Sequence, residues 1–255
     1  MGTLLAYFTR FMPRGLLPSA WVARRILRQT CATVGRGPFQ GLRLCAPSWN
    51  AHAAKLAGVY EREIYGCLDV LKTCPGWTVL VIGAADGYYA AGLARGDAVR
   101  EVHAFELDPH TCSLLARNCA LNQVEAKVRM QAACTPENLA TTLAAATPST
   151  LVICDVEGYE DLLLDLDAQP LLRHCHLLVE VHEVLCPGVG DRLEQRFAAT
   201  HEIRVIQPEP RRRDEFPFEN FWTRWLKDFH VVSAISDGRP GGIFWQWMVP
   251  RAAQG

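Results

Sequence analysis

Two short segments concentrate the groups best suited to proton and ligand chemistry: Asp155-Val-Glu-Gly-Tyr-Glu160 and Val179-Glu-Val-His-Glu183. Each follows or contains an apolar run that reads as a strand. Asp155 closes Leu151-Val-Ile-Cys154, and Glu180 and His182 lie two apart, so their side chains share one strand face. Carboxylates beside an imidazole form a general-base cluster or a divalent-cation site. The spacing is not diagnostic of a metal, and none is expected. Asp155, Glu157 and His182 are the candidate catalytic residues, with His182 or Glu157 taking a proton from a hydroxyl nucleophile. The competing structural roles are a helix N-cap for Asp155, support of a first helical turn for Glu160, and a hydrogen-bonded core histidine for His182.

A second constellation lies upstream. Trp77-Thr-Val-Leu-Val-Ile82 is a continuous apolar run that ends at Gly83-Ala-Ala-Asp-Gly87 and leads into a helix from Tyr88. Glycines here allow a tight turn and close approach of backbone to a ligand. Glu106 ends the next strand, 19 residues after Gly87, where a carboxylate can accept both hydroxyls of a ribose. A dinucleotide fingerprint needs further glycines where Ala85 and Tyr88 stand, and no phosphate-binding G-x-x-x-x-G-K-[ST] occurs. A nicotinamide oxidoreductase is therefore disfavoured. The adenosine cofactor that needs no phosphate grip is S-adenosylmethionine, with Gly83, Ala84, Ala85, Asp86, Gly87, Tyr88, Glu106, Leu107, Asp155 and Tyr60 as its expected contacts.

The elements that position these residues follow an alternation of strand and helix. Strands are expected at 77–82, 101–105, 126–132, 151–154, 176–181, 202–206 and 243–249. Helices are expected at 88–95, 109–122, 136–146, 190–199 and 221–229, with Pro109 opening the second, and 160–172 reads as helical or turn-like. Such β-α units imply a mostly parallel sheet with helices on both faces, whose ligands sit beyond the carboxyl ends of the strands. Residues 1–75 fall outside the alternation and read as a mainly helical extension or cap on a domain spanning 76–255. Within that cap Tyr60 and Glu61 are candidates for a lid, against the alternative of a solvated helix face.

The segments Ile82-Gly-Ala-Ala-Asp-Gly-Tyr-Tyr89, Ala104-Phe-Glu-Leu-Asp-Pro109, Cys154-Asp-Val-Glu-Gly-Tyr-Glu160 and Val179-Glu-Val-His-Glu183 resemble the FkbM family of S-adenosylmethionine-dependent methyltransferases. Gly37-Pro-Phe-Gln-Gly41 and Leu56-Ala-Gly-Val-Tyr-Glu61 add to the likeness, which spans roughly residues 37 to 207. The resemblance implies a seven-stranded, Rossmann-like class I methyltransferase fold, with the cofactor at the Gly83–Gly87 loop and Glu106. It also implies methyl transfer, here to the hydroxyl of a small molecule such as a sugar or natural product. The family usually carries an acid two residues before the first glycine, and this chain has Val81. The alternative is thus a non-catalytic nucleoside-binding module with a degraded cofactor loop.

Composition bounds the rest. With 26 basic and 27 acidic side chains the net charge is −1, which argues against the broad basic footprint of a nucleic-acid binder. Apolar residues make up 49% of the chain, enough for a large core. The ten cysteines contain no C-x-x-C pair, so reduced thiols in a cytoplasmic protein are expected. The first residues lack the pattern of a secretory signal, and Ala6 stands where a myristoylation signal wants Ser or Thr. No stable membrane association is expected. Arg211-Arg-Arg213 reads as a solvated charge run, and Phe216, Phe218, Phe221, Trp222 and Trp225 as core or a cleft wall.

Overall fold

The computed structural model describes residues 18–45, 52–219, 221–239 and 241–251, with the side chains of Pro18 and Trp222 outside that description. The signal and myristoylation readings at the extreme N-terminus fall outside the described residues. Among those described, no helix is long and apolar enough to cross a membrane.

Seven strands form one sheet: β1 Trp77–Ile82, β2 Val99–Phe105, β3 Val128–Gln131, β4 Thr150–Cys154, β5 His176–His182, β6 His201–Ile206 and β7 Ile243–Pro250. Their spatial order is β3-β2-β1-β4-β5-β7-β6. β1 pairs in parallel with β2 and β4, and β5 continues in parallel from β4. Only β7 runs against its neighbours β5 and β6. β1 and β4 are buried at every position, as continuous apolar strands between two helical layers must be. Because β2 and β4 flank β1, the chain order reverses there, and the crevice opens at that switch point.

Helices α3 Tyr88–Ala94, α4 Pro109–Leu121, α5 Pro136–Ala145, α6 Glu160–Leu163 and α7 Val189–Phe197 lie between the strands. Local sequence fixes where several begin. Asp108 caps α4 by accepting the Thr111 amide at 2.7 Å, with Pro109 in the first turn. Thr135 and Asn138 form a reciprocal capping box at α5, again followed by a proline. These caps pin the loops that leave β2 and β3, and so pin the residues at their carboxyl ends. One face of the sheet buries Leu80, Ile82, Phe105, Val152, Val179, Leu139 and Phe197 in a common apolar cluster. Each such side chain contributes roughly 1.5–3 kcal/mol relative to exposure.

The expected strands are all present, with differences in extent. The expected strand 126–132 shortens to β3, where only Val128 is buried, because an edge strand needs little apolar surface. The stretch 160–172, expected to be helical or turn-like, is the single turn α6 followed by a 3-10 turn at Pro170–His174. Pro170 cannot continue a helix begun before it. The expected helix 221–229 is two pieces, α8 Phe221–Arg224 and α9 Asp228–Ile235.

By internal contacts the chain divides into two compact units, residues 1–62 with 209–238, and residues 63–208 with 239–255. This division differs from the expected 75/76 boundary. In the first unit α1 Pro18–Thr30 packs on α9, burying Val22, Ile26, Val231 and Ile235 completely. The short helix α2 His52–Ala57 is wholly buried. Arg211, expected in a solvated charge run, is 5% exposed and pairs with Asp237. Arg213 is likewise committed, to Glu219, Asp228 and the carbonyls of Leu226 and Thr223; Arg212 pairs with Asp214 at the surface. Phe216 is core, whereas Phe221 and Trp225 are exposed and stack edge to face. Glu61 is also no surface residue: it is 1% exposed and its amide faces Asp237.

Candidate active site

The carboxyl ends of β1, β2 and β4 enclose a cavity of about 540 Å³ within the sheet-bearing unit. That size suits a small-molecule or cofactor site. Gly83, Ala85, Glu106, Leu107, Asp155 and Glu157 all line it, together with the apolar flank Phe105, Ala133 and Cys134. The geometry begins with Gly83, which turns out of β1 at φ +81°. A Cβ there would overlap the carbonyl oxygen of Asp155, so only glycine lets β1 and β4 end this close together.

The amides of Gly83 and Ala84 both donate to the Phe105 carbonyl, at 3.0 and 2.8 Å, tying the loop to the end of β2. Glu106 completes the fastening. Its Oε2 accepts the Ala85 amide at 2.8 Å and its Oε1 accepts the Asp108 amide at 2.9 Å. The carboxylate thus shapes the loop and still presents free lone pairs to the cavity, since each oxygen can accept twice. Ala84, Asp86, Gly87 and Tyr88, expected as contacts, are not among the lining residues. Asp86 is 2% exposed; its Oδ1 accepts the Tyr88 amide and its carbonyl accepts Asn118 Nδ2. Tyr88 is buried against Tyr89. These four build the loop from behind. Tyr60 belongs to the other compact unit, where the Lys55 ammonium sits 5.1 Å from its ring centroid.

At the β4 and β5 ends, the expected carboxylate and imidazole groups do come together. Asp155 is not an N-cap, since α6 starts after Tyr159. Its side chain is 37% exposed and its Oδ1 lies 3.6 Å from His182 Nε2. Glu180 Oε2 lies 3.9 Å from the same nitrogen, and its Oε1 takes Arg239 Nη2 at 2.9 Å. Glu160 does more than support a turn: it is fully buried, and its Oε1 meets His182 Nδ1 at 2.7 Å while also accepting the Gly158 amide at 3.1 Å. Burial opposes charge on His182, but the Glu160 hydrogen bond and the charges of Asp155, Glu160 and Glu157 outweigh it and raise the imidazole pKa. Glu157 takes the left-handed φ of +49° ahead of Gly158, and its side chain stays exposed on the cavity wall. Cys134 on the opposite wall has its thiol pushed up to about 12 by burial. It is therefore no nucleophile. The Glu160–His182 contact and the Arg239–Glu180 pair were not anticipated from sequence.

Val81, where the resembling family carries an acid, is 2% exposed between Ala104 and Ile153 of the neighbouring strands.

No protein-family model matches this chain, and no curated protein matches it. Solved structures do. An rRNA methylase from Streptococcus thermophilus is similar over 75% of this chain and 97% of its own, at 11% identity and a TM-score of 0.50. A precorrin-6Y C5,15-methyltransferase from Geobacter metallireducens is similar over 74% and 87%, at 10% identity and 0.47. A precorrin-8W decarboxylase from Methanobacterium thermoautotrophicum is similar over 67% and 82%, at 15% identity and 0.46. The strand order and the first of these likenesses define a class I, Rossmann-like methyltransferase fold. At such identities the likeness is one of fold.

Proposed function

We propose that the protein is an S-adenosylmethionine-dependent methyltransferase of the FkbM type that methylates a hydroxyl on a small molecule, such as a sugar or natural product. The observation that carries this reading is the convergence of Glu106 and Asp155 on one cavity floored by Gly83. The residues present fit the cofactor. Glu106 is a hydrogen-bond acceptor for ribose hydroxyls, and Phe105, Leu107, Ala133 and Cys134 offer an apolar bed for a base. The Gly83 turn is left for the amino-acid end. The bound cofactor supplies a methyl group already activated by its sulfonium.

The protein's own task is then alignment and proton transfer. Asp155 holds the acceptor hydroxyl. Glu157, on the cavity wall and open to solvent, accepts its proton. His182, absent from the lining, acts through Asp155 as a positioning residue. Ten cysteines outside any disulfide fit a cytoplasmic location, and the near-neutral net charge of −1 fits an acceptor other than nucleic acid.

The test is transfer of a labelled methyl group to a panel of mono- and oligosaccharides and polyketide alcohols. Glu157→Gln should lower turnover by roughly 10²–10⁴-fold while leaving S-adenosylhomocysteine affinity unchanged. Equal turnover in the variant removes Glu157 from the mechanism. A chain that binds the cofactor but transfers nothing supports the second reading, a non-catalytic binding module, which the buried Val81 favours.

A further inference from the structure

The groups at the ends of β4 and β5 do more than the mechanism above asks of them. Asp155, Glu180 and His182 each offer one ligand-type atom within 4.8 Å of the others. His182 Nε2 stands 3.6 Å from Asp155 Oδ1 and 3.9 Å from Glu180 Oε2. Those gaps are too wide for hydrogen bonds. They suit atoms sharing an ion, because two ligands each about 2.1 Å from a common centre lie roughly 3–4 Å apart. The histidine side chain is only 6% exposed, and its Nε2 is directed between two carboxylates.

A second, independent observation comes from the other side of the ring. Glu160 is completely buried; its Oε1 serves His182 Nδ1 and the Gly158 amide, and its Oε2 has no hydrogen-bond partner among the described residues. A buried carboxylate needs a compensating positive charge. Placed on the far nitrogen of a histidine, it is also the arrangement that fixes a ring's tautomer and orientation for metal binding. Arg239 Nη2 meets Glu180 Oε1 at 2.9 Å, while Glu180 Oε2 faces the histidine at 3.9 Å.

We propose that Asp155, Glu180 and His182 ligate a first-row divalent cation, with Glu160 as the carboxylate that orients His182. One imidazole and two carboxylates suit Mn²⁺, Fe²⁺ or Zn²⁺ better than Ca²⁺. Three protein ligands leave coordination positions for water or for an oxygen of the acceptor, on the side where Asp155 meets the cavity. A hydroxyl bound there would lose its proton more readily, so the site would select acceptors with a second oxygen able to chelate. That last step rests on the methyltransferase reading, whereas cation binding itself does not.

The experiment is therefore run without cofactor or acceptor. Chelator-treated full-length protein is titrated with Mn²⁺, followed by loss of the free-ion paramagnetic resonance signal and by calorimetry. One site per chain is expected. Asp155→Asn and Glu180→Gln should each weaken it at least about tenfold, and Glu160→Gln by roughly 10–100-fold. Asp155 is partly exposed, so its variant keeps the test valid if a buried substitution fails to fold. No binding of Mn²⁺ or Zn²⁺ at millimolar concentration overturns the proposal and leaves a buried imidazolium–carboxylate pair. Binding undiminished in Asp155→Asn and Glu180→Gln overturns it equally. Cation binding without methyl transfer sinks only the methyltransferase reading, and metal-independent transfer without cation binding sinks only this one.

Discussion

Replacing Gly83 by alanine is the sharpest probe of how β1 and β4 meet. The position has φ +81°, and an added Cβ would overlap the Asp155 carbonyl oxygen. The left-handed conformation costs an alanine roughly 1–2 kcal/mol. Relieving the overlap requires the end of β4 to shift, and forced repacking of this kind costs about 1–3 kcal/mol. Loss of backbone freedom in the unfolded chain offsets about 0.4–1 kcal/mol of this. The net expectation is a loss of about 2–3 kcal/mol, or a fall in Tm of roughly 4–12 °C. Gly76 supplies the control, with φ +88° and open space around its would-be Cβ. Gly76→Ala should show the backbone cost alone. Urea unfolding and thermal melts of both variants read the difference. If Gly83→Ala is no less stable than Gly76→Ala, the close approach that shapes the cavity floor is wrongly described.

Three further outcomes are expected. Glu106→Ala removes the carboxylate proposed to accept two ribose hydroxyls, each such bond being worth about 1.5 kcal/mol or more, so S-adenosylhomocysteine affinity should fall roughly 100-fold by calorimetry; a change under about threefold contradicts the ribose assignment. Arg211→Ala removes the guanidinium paired with the Asp237 carboxylate, and chemical denaturation should register a loss of about 3–5 kcal/mol, whereas an unchanged midpoint would return Arg211 to the surface. Asp161 joins α6 to α7 through Arg192 and Arg196; burial works to raise its pKa, but the two guanidinium groups win and hold it below the ordinary carboxylate range. A depressed folded pKa gives stability that is present above the unfolded value and lost as pH falls through the folded one. Wild-type stability should thus drop more steeply than that of Asp161→Asn below about pH 4, and parallel curves would dismiss the linkage.

Much of the fold is legible in the chain because parallel strands buried on both faces must be continuous apolar runs. Trp77–Ile82 and Thr150–Cys154 announce themselves, and a glycine or an acid marks where each ends. Proline and Asp or Thr caps mark the helices after β2 and β3 in the same local way. What the chain conceals is long-range. The reversal of β7 depends on pairing with β5 about 65 residues earlier. Glu160 and His182 are 22 residues apart, and nothing local reveals that one carboxylate is buried to hold the other's ring. Arg211 looks like its two neighbours until Asp237 is folded against it. In the Gly83–Gly87 loop the residue types point to a ligand, but a side chain's direction depends on the turn. Asp86 and Tyr88 therefore face inward while Ala85 lines the cavity.

On the proposed reading the cavity between β1, β2 and β4 holds S-adenosylmethionine. Calorimetric titration of the intact protein with S-adenosylmethionine, and separately with S-adenosylhomocysteine, tests it most directly. Micromolar binding at one site per chain, for both ligands, is the predicted result. No heat of binding for either at millimolar concentration would refute cofactor binding and leave a methyltransferase fold without its cofactor.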